Sequence, residues 1–446
     1  MKFKTYSLGC KVNIYEVEAI SSDLIKSGFE LTNNDEEADV IIINTCTVTS
    51  TSDSKSRQLI RKIRKLNEKA IIVAMGCYVQ LNSSEVENNL NVNIIVGTNK
   101  RNQVKELIKE YLENKEVINR VQSSDKYTEY EELKMYGLST HTRGFIKIQD
   151  GCENFCAYCA IPYARGPIKS RKPSDVIDEI KTLASKGVKE IILSGINTGT
   201  YGQDLNEDVT LASLLDDILT NVNGCFRLRL SSIELMEITD ELLDVYEKYP
   251  TKIARHFHIP LQAGCDNTLK RMKRKYLTSD YEKVINKIRN RFPGIAITTD
   301  CLAGFVGESD KDFEDALDFI EKINFSSMHI FPYSRRKNTE ADKMDGHLPG
   351  ELIHARAKKM QELAQKMAKN YQEEYIGKEM IVLVEQKKNN YWIGHTSNYL
   401  EVKFISKEEL TNKLVLVKLN KVDNDSAFDS SKGGEALKDK SEIQLG

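Results

Sequence analysis

The chain has 446 residues, 40% of them hydrophobic, and a formal net charge of −2; at about 150 residues per domain that is room for roughly three. No apolar run reaches the ~18 residues of a membrane-spanning helix, and Met1–Tyr6 carries charge with no apolar stretch behind it, so membrane and secreted classes are excluded in favour of the cytoplasm. Nine cysteines, an odd number, do not suit a fully paired disulfide framework and read as metal ligands near strand ends.

Residues 1–114 alternate apolar strands with amphipathic helices. Strands are expected at Lys2–Leu8, Val40–Asn44, Ala70–Met75 and Val92–Val96, with helices at Val12–Lys26, about Asp53–Asn67 and Asn102–Glu113. Strand and helix in short succession imply a mostly parallel, doubly wound sheet of flavodoxin type. Cys10, Cys46 and Cys77 each follow one of these strands. In a parallel sheet all three emerge at the carboxyl edge, where open α/β folds bind ligands, and Gly9 and Gly76 let the backbone come close to a bulky group. Three buried thiols are the bland alternative; three at equivalent strand ends point to a shared cluster. The helix run Lys55–Leu66 is densely basic and reads either as a surface that could meet phosphates or as a solvated helix face, as does the run Lys270–Lys275.

A polar stretch, Lys115–Thr140, reads as a linker to a second unit at residues 138–370. There the strand Phe145–Ile148 delivers Cys152, Cys156 and Cys159 in C-x3-C-x2-C spacing, with Tyr158 before the third cysteine. A structural zinc site wants four ligands, and this loop offers three. An iron–sulfur cubane held by three thiolates keeps one iron open for chemistry. An incomplete zinc knuckle and buried core thiols are the alternatives.

Strands at Glu190–Leu193, Phe226–Leu230, His256–Ile259, Ile295–Thr299 and Met328–Phe331 alternate with helices. Six β/α units suggest a partial barrel with chemistry on the loops after the strands. Gly195 and Gln262 on such loops are candidate cofactor contacts. Cys225, Cys265 and Cys301 have no paired spacing and read as core or loop thiols. Lys270–Lys275 is a second basic run. From residue 371 to 437 short β segments suggest a small β-barrel. Its Tyr391, Trp392 and Tyr399 suit base stacking or core packing equally. Asp423–Gly446 has little to bury and is expected to be disordered.

Gly9-Cys10, Asn44-Thr-Cys46, Gly76-Cys77 and the Cys152/Cys156/Cys159 loop followed by Ile161-Pro-Tyr-Ala-Arg-Gly166 resemble the methylthiotransferases, a radical S-adenosylmethionine family, over residues 1–422. Cys10-Lys-Val-Asn13, Ile259-Pro-Leu-Gln262 and Gly394-His-Thr-Ser-Asn-Tyr399 are similar to the branch acting on threonylcarbamoyladenosine in tRNA. The resemblance implies an N-terminal auxiliary-cluster domain, a radical core and a C-terminal β-barrel called TRAM. It implies two 4Fe-4S clusters, one on Cys10, Cys46 and Cys77 and one on Cys152, Cys156 and Cys159, with S-adenosylmethionine near Tyr158, Gly195 and Gln262. The partners implied are a tRNA substrate, a flavodoxin- or ferredoxin-like electron donor and a sulfur donor of unspecified identity. Isopentenyladenosine in tRNA, a ribosomal-protein aspartate and a non-catalytic iron–sulfur RNA binder are the alternatives.

Overall fold

The computed structural model describes residues 1–135, 142–205 and 208–422, and the backbone of 428–429. The N-terminal sheet has six parallel strands: β1 (Lys2–Ser7), β2 (Glu30–Leu31), β3 (Val40–Thr45), β4 (Ile71–Gly76), β5 (Ile94–Val96) and β6 (Ile118–Asn119). Their order is β2-β1-β3-β4-β5-β6, the flavodoxin-like order with one strand added. Buried apolar clusters cover both faces, which is why β3 and β4 are buried throughout. The helices that cover them are chiefly α1 (Lys11–Lys26), α2 (Ser50–Leu66) and α5 (Val104–Asn114), with the short α3 (Cys77–Leu81) and α4 (Ser83–Asn89) between.

Strand β6 lies inside the stretch read as linker. Polar side chains in its described part, among them Tyr130, Glu131 and Glu132, hold two units together. Arg101 pairs with Glu131, Arg171 with Glu132 at 2.5 Å, and the Tyr130 hydroxyl donates to the Lys147 carbonyl at 2.7 Å. The last residues of that stretch lie outside the described residues.

The central unit begins with β7 (Arg143–Lys147) and a small hairpin, β8 (Gln149–Asp150) with β9 (Lys169–Ser170). Strands β10 (Glu190–Ser194), β11 (Arg227–Leu230), β12 (His256–His258), β13 (Ala296–Ala303) and β14 (Ser327–Pro332) follow. Parallel pairing runs β7-β10-β11 and β12-β13-β14, and isolated parallel bridges at Leu228–Ile253 and Ser232–His258 join the two halves. The result is the expected partial barrel of six strands, with one continuous apolar core between strands and outer helices.

A 24-residue helix, Gly350–Glu373, leads to the C-terminal unit. Here β15 (Glu379–Lys388), β16 (Tyr391–Thr396), β17 (Glu401–Phe404), β18 (Leu414–Lys418), β19 (Lys421–Val422) and β20 (Phe428–Asp429) form a curled half-barrel in the order β18-β15-β16-β17-β20-β19. Trp392 is core. The expected disorder of 423–446 falls outside the described residues except at β20, which pairs with β17 and β19 and to that extent corrects it. This unit docks on the amino ends of the barrel strands. Arg143 of β7 pairs with Glu385, and Arg229 of β11 donates to the Thr396 carbonyl at 3.2 Å. Tyr399 stacks on His256, the first residue of β12, with centroids 5.1 Å apart. That contact takes the place of the base stacking offered for Tyr399.

Candidate active site

Cys10 caps α1 after β1, Cys46 follows β3, and Cys77 opens α3 after β4. In the observed order β1 and β3 flank the point where strand order reverses, the usual ligand crevice of such sheets. Each thiol lies within electrostatic range of another of the set. Burial pushes all three upward in pKa; Arg165 opposes this at Cys10 and Cys77. The two glycines are steric necessities. Gly9 has φ +99° and a Cβ there would sit 2.6 Å from Cys46 Sγ; Gly76 has φ +100° and its Cβ would meet Asn44 Oδ1 at 2.3 Å. Asn13 ties the rim together, its Nδ2 donating to the carbonyls of Leu8 at 2.6 Å and Thr45 at 3.1 Å.

The second set lies between β8 and the short helix α6 (Ile161–Arg165). The Cys159 N–H donates to the Cys156 carbonyl at 2.9 Å, and the Cys152 N–H to that of Gly166 at 3.1 Å. Burial pushes Cys152 up to about 11 and Cys159 up to about 12; metal ligation must reverse both shifts. Tyr158 packs edge-on to Phe305, 6.2 Å between centroids. Among the described residues no three Cys, His, Asp or Glu side chains close around a single-ion point; a cubane is larger than one ion and spreads its thiolates over separate irons.

Two arginines complete this geometry; the sequence reading places Arg165 only within the Ile161–Gly166 motif and Arg274 only within a basic run, with no role beside a cysteine for either. Arg165 Nε donates to Cys77 Sγ at 3.1 Å, so the helix that ends the central cysteine loop touches the N-terminal set. Arg274 Nη1 donates to Cys156 Sγ at 3.3 Å and pairs with Glu234. Arg274 belongs to Lys270–Lys275, read as phosphate-facing or solvated. In the fold its side chain is buried, Arg271 donates to the Val306 carbonyl at 3.0 Å, and Lys270, Lys273 and Lys275 alone stay exposed. On α2, by contrast, Lys55, Arg61, Lys62 and Lys65 are exposed as expected.

A cleft of about 770 Å³ runs between the units, lined by Arg57 and Glu85, by Ala160 and Tyr163 beside the cysteine loop, and by Arg335–Lys337. Arg336 reaches Thr47, next to Cys46, at 2.7 Å. The three-residue run Arg335–Lys337 is a short signal that the sequence reading passed over. Gly195 and Gln262 lie on loops at the carboxyl ends of the strands. Gly195 is pressed on Gln149, where a Cβ would come within 2.8 Å of Oε1. Gln262 has φ +65° and its N–H donates to the Asp300 carbonyl at 2.9 Å. Cys265 and Cys301 are buried, and Cys265 donates to Asp312 at 3.2 Å; Cys225 is exposed.

A doubly wound sheet beside a partial barrel with a three-cysteine loop defines the class of radical S-adenosylmethionine enzymes. Residues 146–320 match the Radical SAM superfamily, and residues 2–97 match the group described as Uncharacterized protein family UPF0004. The chain is 40% identical to threonylcarbamoyladenosine tRNA methylthiotransferase MtaB of Bacillus subtilis (strain 168), over 93% of each chain. It is 36% identical to the protein of that name from Aquifex aeolicus, over 94% of this chain and all of that one. It is 35% identical to tRNA-2-methylthio-N(6)-dimethylallyladenosine synthase of Thermoanaerobacter sp. (strain X514), over 92% of this chain and 88% of that one. Among solved structures it shares the fold of the radical S-adenosylmethionine methyltransferase TsrM from Kitasatospora setae, with TM-score 0.56 and 14% identity over 75% of this chain and 73% of that one. The chain belongs to the radical S-adenosylmethionine methylthiotransferases. An S-adenosylmethionine cofactor and a 4Fe-4S cluster come with that membership.

Proposed function

We propose that the protein inserts a methylthio group into N6-threonylcarbamoyladenosine of tRNA, dividing the work among residues 1–114, 138–370 and 371–437. The observation that carries the reaction class is the contact of Arg165, on the helix that ends the central cysteine loop, with Cys77 of the N-terminal set. Cys152, Cys156 and Cys159 would hold the radical cluster, and Cys10, Cys46 and Cys77 an auxiliary one. When bound, these groups and S-adenosylmethionine supply the hydrogen-abstracting radical, the sulfur and the methyl group.

The chain's own residues position and tune. Arg165 and Arg274 each donate an N–H to one cysteine sulfur, an arrangement that sets cluster potential. Tyr158, Gly195 and Gln262 stand as the cofactor contacts. The cleft lined by Arg57, Arg335 and Lys337, continued by the exposed lysines and arginines of α2, offers cations to the tRNA backbone. The electron donor would be a small flavodoxin- or ferredoxin-like protein, and the setting the cytoplasm.

The choice of base rests on the two threonylcarbamoyladenosine-acting relatives, at 40% and 36% identity. Nucleoside mass spectrometry of tRNA from a deletion strain tests it. The methylthiolated threonylcarbamoyladenosine should vanish and its unmethylthiolated precursor accumulate. Loss of a methylthiolated isopentenyladenosine instead would move the protein to the other branch.

A further inference from the structure

Barrel strands turn every second side chain inward, and here the inner face is charged through its lower half. Arg143 opens β7, Glu190 opens β10, Arg227 and Arg229 lie two apart on β11, and His256 and His258 two apart on β12. The alternate residues Leu228, Leu230 and Phe257 belong to the outer core. On β13, Thr298 Oγ1 meets His256 Nε2 at 2.8 Å and His258 Nδ1 at 2.9 Å, while Asp300 faces His258 Nε2 at 3.3 Å. One more cation enters from the N-terminal unit. Lys11, next to Cys10 and first in α1, has its charged form disfavoured by burial, with Tyr399, Arg229, Arg143 and Glu190 as its charged and polar surroundings.

This floor has more positive charge than its own carboxylates answer. Glu190 serves Arg143, Arg227 and Arg229 together, and Glu385 serves Arg143 and His395. Asp300 faces His258 at 3.3 Å. Lys11 makes no hydrogen bond or ion pair among the described residues. Arg229 is 1% exposed, yet its Nε and Nη1 have no partner among them, nor has His256 Nδ1. Burial together with Arg229, His258 and Lys11 holds the His256 imidazole far below its ordinary pKa, as a positive field should. Arg229 is paired with Glu190 and lies over the Tyr399 ring, yet among the described residues two of its donors stay free and Lys11 has no ion-pair partner. Polar groups taken out of water without partners are costly, so the arrangement asks for an anion from outside. On the edge strand β14 beside this floor, His329 is exposed, with its ring 6.1 Å from that of His258.

We propose that the barrel floor binds the substrate's free carboxylate, that of the threonylcarbamoyl group, through Lys11 and Arg229. The proposal rests on the reading of threonylcarbamoyladenosine as substrate, and it names how that base is told from its isopentenyl counterpart. An isopentenyl group is uncharged and would leave the cations unpaired, and a site built for a polar group rejects an analogue that lacks it. S-adenosylmethionine also carries a carboxylate. The cysteine loop, however, leaves beyond the carboxyl end of β7, whereas Arg143 stands at the opposite end of that strand.

The test is fluorescence anisotropy with the reconstituted full chain and three anticodon stem-loop RNAs. They carry threonylcarbamoyladenosine, its methyl ester, or plain adenosine at the target position. Wild type should bind the acid at least about tenfold tighter than the ester, the scale of one charged hydrogen bond. Lys11→Met should cut that preference several-fold, leaving only what Arg229 supplies, Lys11→Arg should keep it, and S-adenosylmethionine binding by equilibrium dialysis should match wild type in both. Equal wild-type affinity for acid and ester overturns the proposal, and this comparison needs no variant, so a folding defect cannot obscure it. A preference undiminished in Lys11→Met, or a loss of cofactor binding there, overturns it too. If isopentenyladenosine is the base modified, the substrate reading fails. If threonylcarbamoyladenosine is modified but acid and ester bind alike, only the floor fails.

Discussion

Arg274 shows how much one residue's placement depends on a turn. In sequence it is one of five basic residues in six. In the fold, Lys273 takes φ +58° and the chain reverses, which carries Arg274 inward to Glu234 and Cys156. Nothing in side-chain spacing announces a left-handed lysine, since that conformation is set by tertiary packing and not by preference. Removing Arg274 deletes an N–H donor and a positive charge beside the Cys156 sulfur, and both would favour the reduced form of a cluster held there. Arg274→Ala should therefore lower the midpoint potential of the central cluster, read by an electron-paramagnetic-resonance redox titration. Arg274→Lys, which keeps charge but loses the planar fork, should fall between. An unchanged potential in both would reduce Arg274 to a partner for Glu234.

At the scale of elements, the N-terminal sheet was the most legible part. Continuous apolar runs became β3 and β4, and the thiols after β1, β3 and β4 gather at one edge because parallel strands end on the same side. The barrel's outer face was legible for the same reason. Its inner face was not: Arg227-Leu-Arg-Leu230 and His256-Phe-His258 already alternate charge with apolar bulk, but their meaning appears only once the strands curve to enclose a lumen. The short strands β2 and β6 escaped notice because two residues carry no periodicity. Gly76 joins β4 to α3 with φ +100° and ψ −168°, a region open in practice to glycine alone, where other residues pay about 1–3 kcal/mol. Gly76→Ala also pushes a Cβ against Asn44 and the Thr45 backbone. Iron analysis should show the N-terminal cluster lost and the central one kept, about half the total expected of two cubanes. Full iron retention would mean that this edge is not a cluster site.

For the whole molecule, the junction between the two cysteine sets is a buried ion network. Glu16 of α1 pairs with Arg101 and, across the interface, with Arg165 at 2.6 Å and Lys147 at 3.2 Å; Asp150 joins Lys147 at 2.6 Å. Burial disfavours the charged carboxyls, but Arg101, Arg165 and Lys147 around Glu16, and Arg165 and Lys147 around Asp150, hold both below the usual carboxylate range. With folded pKa values depressed, their contribution is fully present above the ordinary carboxylate pKa and is lost as pH falls through the lower folded values. Thermal stability should thus be flat near neutrality and decline only in acid. Glu16→Gln leaves Arg165 and Lys147 with Asp150 as their carboxylate and Arg101 with Glu131, and breaking a buried pair in this way costs about 3–5 kcal/mol. Its acid-limb decline should be shallower and its melting temperature lower than wild type at neutral pH; a neutral-pH melting temperature equal to wild type would show that the network does not hold the units together.

The division of labour between the two cysteine sets is tested most directly by one ratio: 5′-deoxyadenosine released per methylthiolated adenosine formed, in the variant with Cys10, Cys46 and Cys77 replaced by Ala. The central loop is built from its own strand and helix, so cofactor cleavage should persist under reduction while methylthiolated tRNA falls to background and the ratio diverges. Methylthiolated tRNA at the wild-type ratio would mean that the N-terminal cysteines are only structural and that the sulfur enters elsewhere.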